Sequence, residues 1–270
     1  MGYTRIIQSG EVTELYQYQK EYVCPRKRDY LQNVRRAYGA RYGDFIAPAR
    51  SYRSIKRARQ LFIRIVTANI QRENKPAFVT LTIERETPLE VGYVYLAEFW
   101  KSVKKQYACR YIGVPEWQER GVLHFHFIVW DLPRACTDNK TERSTRNFQR
   151  LWHRGFCDVR NASRSTGGLA GYLAKYLTVA LGDSRLGNRR AYTCSRNIYR
   201  PTTAGSNALD GYLDELVPVD SLLERRTVYD TMWLGQCIYK KIIKTTQTKC
   251  KNLSFADALT ELPRRETLTT

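Results

Sequence analysis

Between residues 78 and 181, strand-type and helix-type patterns follow one another in a fixed order, and that order constrains the fold more than any other feature of the chain. Phe78 to Glu84 (FVTLTIE) is built of Phe, Val, Thr and Ile, side chains suited to a pleated, half-buried strand. Pro88 then opens a helix to about Gln106, with Leu96, Phe99, Trp100 and Val103 as its apolar stripe. Ala108 to Val114 and Gly121 to Trp130 read as a second and a third strand, 144–153 as a helix, and Phe156 to Arg160 as a short strand. Gly167 and Gly168 break the chain before a last helix, Leu169 to Leu181. Strands separated by helices, with hairpin-like neighbours, predict an α+β fold: one antiparallel sheet with helices packed on it. Upstream, residues 51–70 predict a further helix, because Ile55, Ala58, Phe62, Ile65 and Asn69 recur at three- and four-residue spacing with arginines opposite. The chain divides into a basic N-terminal extension (1–49), a core domain (50–182) and a C-terminal extension (183–270) in which Asp220 to Lys244 reads as helical.

Charge points to the partner. Lys and Arg number 45 against 26 Asp and Glu, a formal net charge of +19, and such an excess suits a polyanion. A membrane is the poorer match. There is no run of about 18 apolar residues, and the first residues lack the apolar core of a signal peptide. Ile6 stands where a myristoylation signal needs Ser or Thr. Seven scattered cysteines without a CxxC pair argue against a disulfide framework, and predict buried, inert thiols in a reducing, cytoplasmic compartment. The cations are densest over residues 26–72, where Tyr30, Tyr38, Tyr42 and Tyr52 are interleaved. Cations beside aromatic rings suit single-stranded DNA, its phosphates on the charges and its bases on the rings. Arg53, Lys56, Arg57, Arg59 and Arg64, with Arg120 further on, are the candidate DNA contacts; the alternative is a solvated helix face.

The chain has three histidines, and two of them stand in His124-Phe125-His126. Side chains alternate along a strand, so both imidazoles share one face, while Leu123, Phe125, Phe127 and Val129 occupy the other. Such a pair can chelate one divalent ion, or can be a hydrogen-bonded pair in an amphipathic strand. A turn at Arg120-Gly121 brings Glu116 or Glu119 alongside as an oxygen ligand. Two imidazoles and one carboxylate favour Mn2+ or Mg2+, either of which polarises a phosphoryl oxygen. His153, after Trp152 at a helix end, reads as structural or DNA-facing. On the last helix, Tyr172, Lys175 and Tyr176 share a face beside the stripe of Leu169, Leu173 and Leu177. Tyrosine can be a covalent nucleophile. With an ordinary pKa of about 10 it needs an activated phosphate and a cation close by, which Lys175 can supply. By itself, Tyr-x-x-Lys-Tyr also fits an amphipathic helix with snorkelling side chains.

In this order the three segments resemble the HUH endonuclease superfamily, named for its His-hydrophobic-His pattern, and within it the rolling-circle replication initiators of small plasmids and single-stranded DNA phages. Phe78 to Thr82 resembles the family's first motif. Glu116-x-Gln118-x-Arg120-Gly121-x-x-His124-Phe125-His126 resembles the second, the metal site, and favours Glu116 over Glu119 as the carboxylate ligand. Tyr172-x-x-Lys175-Tyr176 resembles the third, which carries the nucleophile, and Trp152-x-x-Gly155 also has the look of such proteins. The resemblance spans roughly residues 50–182. It implies a ferredoxin-like or RNA-recognition-like sheet with the metal on its open face. It also implies a 5′-phosphotyrosyl intermediate on origin DNA, a free 3′-hydroxyl that primes synthesis, and rejoining by the reverse step. In two-tyrosine relatives Lys can follow each tyrosine at the third position; here Lys175 follows Tyr172, but Val179 follows Tyr176. Tyr172 is therefore the expected nucleophile, and Tyr176 a second nucleophile or a packing residue; in some single-tyrosine relatives the nucleophile sits at the later position, which keeps Tyr176 a candidate. No GxxxxGK[ST] loop occurs, so unwinding would fall to a host helicase acting with the host polymerase. The competing readings are a transposase or relaxase of the same chemistry, a non-catalytic DNA-binding regulator, and a structural RNA-binding protein.

Overall fold

A computed structural model describes residues 2–22, 52–70, 76–118, 121–132, 142–162, 166–186, 189–206, 221–231 and 234–244. In chain order the elements are β1 (Thr4–Ser9), β2 (Val12–Tyr18), α1 (Tyr52–Asn69), β3 (Ala77–Thr82), α2 (Leu89–Gln106), β4 (Arg110–Trp117), β5 (Leu123–Trp130), α3 (Glu142–Trp152), β6 (Cys157–Asn161), α4 (Thr166–Gly182), β7 (Thr193–Cys194), β8 (Thr202–Ser206), β9 (Ser221–Thr231) and β10 (Gly235–Lys244). They fall into two compact units, Tyr38–Arg200 and Met1–Ala37 with Pro201–Thr270.

The α+β expectation holds. In the larger unit an antiparallel sheet runs β6-β3-β5-β4-β7. The segment β3-α2-β4-β5-α3-β6 is a β-α-β-β-α-β unit whose first strand lies between its third and fourth, the ferredoxin-like arrangement. Helices α2 and α3 bury one sheet face. Trp100 of α2 stacks on Tyr111 with ring centroids 3.6 Å apart and meets Phe127 edge-on at 4.9 Å. Phe99 packs edge-on against Trp152 of α3 at 5.6 Å. Each such fully buried aromatic stabilises the fold by roughly 1.5–3 kcal/mol. The predicted stripe of α1 is buried at Phe62 and Ile65, joined by Val66, and α1 packs on α4. On α4 the stripe of Leu169, Leu173 and Leu177 is likewise buried. That helix starts at Thr166, so Gly167 and Gly168 lie in its first turn rather than breaking the chain before it.

Asn69 ends the α1 stripe with a buried amide instead of an apolar group. Its Nδ2 donates to the Ile65 and Tyr199 carbonyls at 2.7 and 2.8 Å, and its Oδ1 accepts from Arg110 Nη1 at 2.7 Å. Arg110 forks onto Asp131 through Nε and Nη2, at 2.5 and 3.0 Å. A buried guanidinium is tolerated where its charge is paired and its donors are used, as here. The bracket fastens the end of α1 to β4 and to the chain at Tyr199.

In the smaller unit a second antiparallel sheet runs β8-β1-β2-β10-β9. The C-terminal extension is thus not helical where the sequence predicts it over Asp220 to Lys244: Ser221–Thr231 and Gly235–Lys244 are two long paired strands. Thr227, Val228, Thr231, Ile238, Ile242 and Ile243 are β-branched and favour a pleated surface. A partner completes the effect, since β10 pairs with β2 from Cys237↔Tyr18 to Ile243↔Val12. The basic stretch 26–50 lies outside the described residues.

Candidate metal and tyrosine site

The β4–β5 hairpin sets the site. Gly121 turns at φ +79°, a conformation open to glycine without penalty, and its N–H bonds the Gln118 carbonyl at 2.9 Å. The resulting register places Glu116 opposite His124 and Val114 opposite His126. On the other side β3 places Thr82 opposite His124 and Thr80 opposite His126. Directly opposed residues share a sheet face. Both imidazoles, Glu116 and the two threonines therefore meet on the face away from α2 and α3. Glu119 and Arg120 lie outside the described residues.

Both histidines are buried. His126 Nε2 lies 2.6 Å from Glu116 Oε2, and its Nδ1 is 3.3 Å from the Thr80 hydroxyl. His124 Nδ1 is 3.4 Å from the Thr82 hydroxyl, while its Nε2 is buried with no hydrogen-bond partner. Burial lowers the pKa of both rings. For His124 the neighbouring His126 adds to this, and for both the Glu116 carboxylate opposes it. Neutral rings keep a lone pair for a ligand. Threonine hydroxyls both donate and accept, so they can hold either tautomer and orient the ring. Among the described residues no three His, Cys, Asp or Glu side chains already converge as a metal cage. His124 Nε2 is buried without a partner, and the two imidazole centroids lie 6.2 Å apart. By donor chemistry, these two nitrogen bases and the Glu116 carboxylate are the groups that would hold a divalent ion. The sequence reading did not single out Thr80 and Thr82; their signal was the Thr-x-Thr alternation in the strand that pairs with His-x-His.

Helix α4 lies over this face. The Tyr176 ring stacks on His126 with centroids 4.3 Å apart, and its hydroxyl is 2.8 Å from that of Tyr172. Phe78 stacks on His126 at 5.7 Å and meets Tyr172 edge-on at 5.4 Å. Burial, and then the bond to Tyr172, raise the Tyr176 pKa well above that of an ordinary phenol. Tyr172 is more open, 49% exposed. Lys175 is exposed one turn further on. So the structure brings Glu116, His124, His126, Tyr172 and Tyr176 together. His153 stands apart, exposed at the end of α3 with φ +32°.

Of the predicted DNA contacts, Lys56, Arg57 and Arg59 are exposed on α1, and Arg64 is partly buried and engaged with neighbours. The Arg53 side chain lies outside the described residues. Cys109, Cys157, Cys194 and Cys237 are free thiols, and burial pushes Cys109 up to about 11 and Cys157 to about 12, as inert thiols require. Among the described residues no helix is long and apolar enough to cross a membrane.

Residues 76–180 match the family model of the replication-associated protein ORF2/G2P. The match runs from β3 through α4 and so takes in every residue of the cluster just described. It covers less than half of the chain, and it supports a DNA-binding protein of replication initiation. No curated protein and no solved structure matches the chain.

Proposed function

We propose that this chain is a metal-dependent nicking and joining enzyme of the HUH type, which starts rolling-circle replication on single-stranded origin DNA. One observation carries the reading. Side chains from three distant segments, β3, the β4–β5 hairpin and α4, meet on one sheet face, with the Tyr176 ring on His126 and its hydroxyl on Tyr172. Packing alone does not call for two phenols over an imidazole pair and a carboxylate.

Glu116, His124 and His126 would hold Mn2+ or Mg2+, which would make the scissile phosphate more electrophilic. Thr80 and Thr82 fix the imidazole orientations. Tyr172, the more accessible phenol, attacks phosphorus; the bond from phosphorus to the 3′ oxygen breaks, the tyrosine is left on the 5′-phosphate, and the 3′-hydroxyl is freed as a primer. Tyr176 orients the Tyr172 oxygen, and Lys175 places positive charge beside the phosphate. Joining is the same exchange in reverse. In the cytoplasm of a bacterial host, a host helicase would unwind the duplex and a host polymerase would extend the primer.

The test is a set of single-stranded tiles of the replicon incubated with the protein and Mn2+ or Mg2+. An SDS-resistant adduct on one tile, lost with EDTA, is expected. Tight binding to the tiles without an adduct on any of them would make the protein a non-catalytic regulator. His124→Ala is expected to lower adduct yield at least about 100-fold and to raise the Mn2+ concentration needed, since even partners of metal ligands are worth 10–100-fold. Unchanged yield in that variant would remove the metal site. Replacing Lys56, Arg57 and Arg59 together by Gln is expected to flatten the salt dependence of single-strand binding, by about 2 in the slope of log K against log salt. An unaltered slope would take α1 out of the interface.

A further inference from the structure

The edge strand β6 shares the site face. Its register sets Thr80 opposite Asp158 and Phe78 opposite Arg160. One step beyond, the Thr82 N–H bonds the Phe156 carbonyl at 2.8 Å. Alternation therefore puts Phe156, Asp158 and Arg160 on the same face as Thr82, Thr80 and Phe78, while Cys157 and Val159 point into the core and are buried. Phe156 stands in a row with Thr82, His124 and Glu116, two strands from His124, or about 10 Å at the usual strand spacing. It is 62% exposed, the most exposed of the large apolar residues described. Arg160 is also largely solvent-facing, its side chain 74% exposed, and is steadied by Asp158 Oδ2 at 2.6 Å from its Nε. A guanidinium has five N–H donors, so donors remain for a phosphate. An exposed ring and an anchored cation, each two strand positions from the acidic residue between them, do nothing for the core.

We propose that β6 is a seat for single-stranded DNA beside the reactive centre, with one base stacked on Phe156 and a phosphate on Arg160. The idea rests on the nicking reading for its purpose, but not for its evidence. The net charge of +19 gives the surface the sign a polyanion needs, and the aromatic-plus-cation pair is how proteins hold unpaired strands without reading their sequence. The strand would then cross the sheet from β6 toward Tyr172, so that the scissile phosphate is delivered to the site rather than found by chance collision.

The test uses the full chain in EDTA, so that no chemistry intrudes, and a fluorescein-labelled oligo-dT as the probe. Phe156→Ala should bind about 5- to 100-fold more weakly by anisotropy, the range for loss of one base–aromatic stack. Arg160→Gln should lower the slope of log K against log salt by about 0.7. Phe156→Trp should bind like the wild type and add a tryptophan signal quenched by oligo-dT. Because Phe156 is exposed, its variants should melt with the wild type. Wild-type affinity in Phe156→Ala, with no added quenching in Phe156→Trp, would overturn the seat even if Tyr172 forms the adduct. Weakened binding in Phe156→Ala, with no adduct from the wild type on any tile, would leave the seat standing and remove the nicking reaction.

Discussion

Tyr172→Phe is expected to abolish the SDS-resistant DNA adduct, by at least about 1,000-fold, the scale on which loss of a nucleophile is felt. The substitution removes one oxygen. Tyr172 is half exposed and its ring meets Phe78 edge-on, a contact that Phe keeps. Melting temperature and oligonucleotide affinity should stay near wild type, which separates lost chemistry from lost fold. Tyr176→Phe is the informative contrast. It removes the 2.8 Å hydroxyl–hydroxyl bond but preserves the ring stacked on His126. A partial loss, about 10-fold, fits a residue that orients the nucleophile. Were Tyr176→Phe the variant that loses the adduct, and Tyr172→Phe not, the two phenols would exchange roles on the same site. Adduct formation in both single variants, lost in the double, would mean that either phenol can attack. An adduct undiminished in the double variant would end the tyrosine mechanism.

What the sequence disclosed depended on range. The period-two placement of His124 and His126 is local, and so is the turn at Gly121; together they were enough to bring Glu116 within reach. The threonines that meet the imidazoles come from β3, more than forty positions upstream, and their role follows from a register that neither segment specifies by itself. The stack of Tyr176 on His126 depends on how α4 seats on the sheet, which Leu169, Leu173 and Leu177 decide as a packed stripe and no motif announces. The C-terminal strands show the same limit more sharply. Glu14 accepts a hydrogen bond from Tyr239, 225 positions away, in a sheet whose β2 and β10 strands come from opposite ends of the chain. The β9–β10 pairing is local, with Gly235 opposite Thr231, and the β-branched residues along both strands were its signal; only the β2 partner of β10, more than 200 positions away, left no local trace.

The second large effect is expected at Gly155, far from the chemistry in sequence terms but tied to it by backbone. Trp152 Nε1 donates to the Thr82 carbonyl at 2.8 Å, and the Glu84 N–H to the Arg154 carbonyl at 3.0 Å. Gln149 spans the turn, donating to the Gly155 carbonyl at 2.5 Å and accepting from the Cys157 N–H at 2.7 Å. Gly155 sits inside this lattice at φ +151°, and a Cβ there would lie 2.3 Å from the Thr82 carbonyl oxygen and 2.7 Å from the Glu84 nitrogen. Those atoms are backbone held on both sides, so they cannot swing away as a side chain would. Gly155→Ala therefore combines a disfavoured dihedral, of order 1–3 kcal/mol, with displacement of the end of β3. A total of about 3 kcal/mol would lower the melting temperature by about 6–12 °C for a unit of this size. The displaced residue is Thr82, whose hydroxyl lies 3.4 Å from His124 Nδ1 and which the proposed mechanism makes the partner of that metal ligand. Well below the melting transition the variant should still need about 10-fold more Mn2+ for adduct formation, the usual loss when a partner of a metal ligand is disturbed. Melting by circular dichroism and a Mn2+ titration of the adduct read the two effects separately. An unchanged melting temperature would mean the turn yields where its hydrogen bonds say it cannot. A lowered one with unaltered Mn2+ dependence would confine the role of Trp152-x-x-Gly155 to the fold and cut its link to the site.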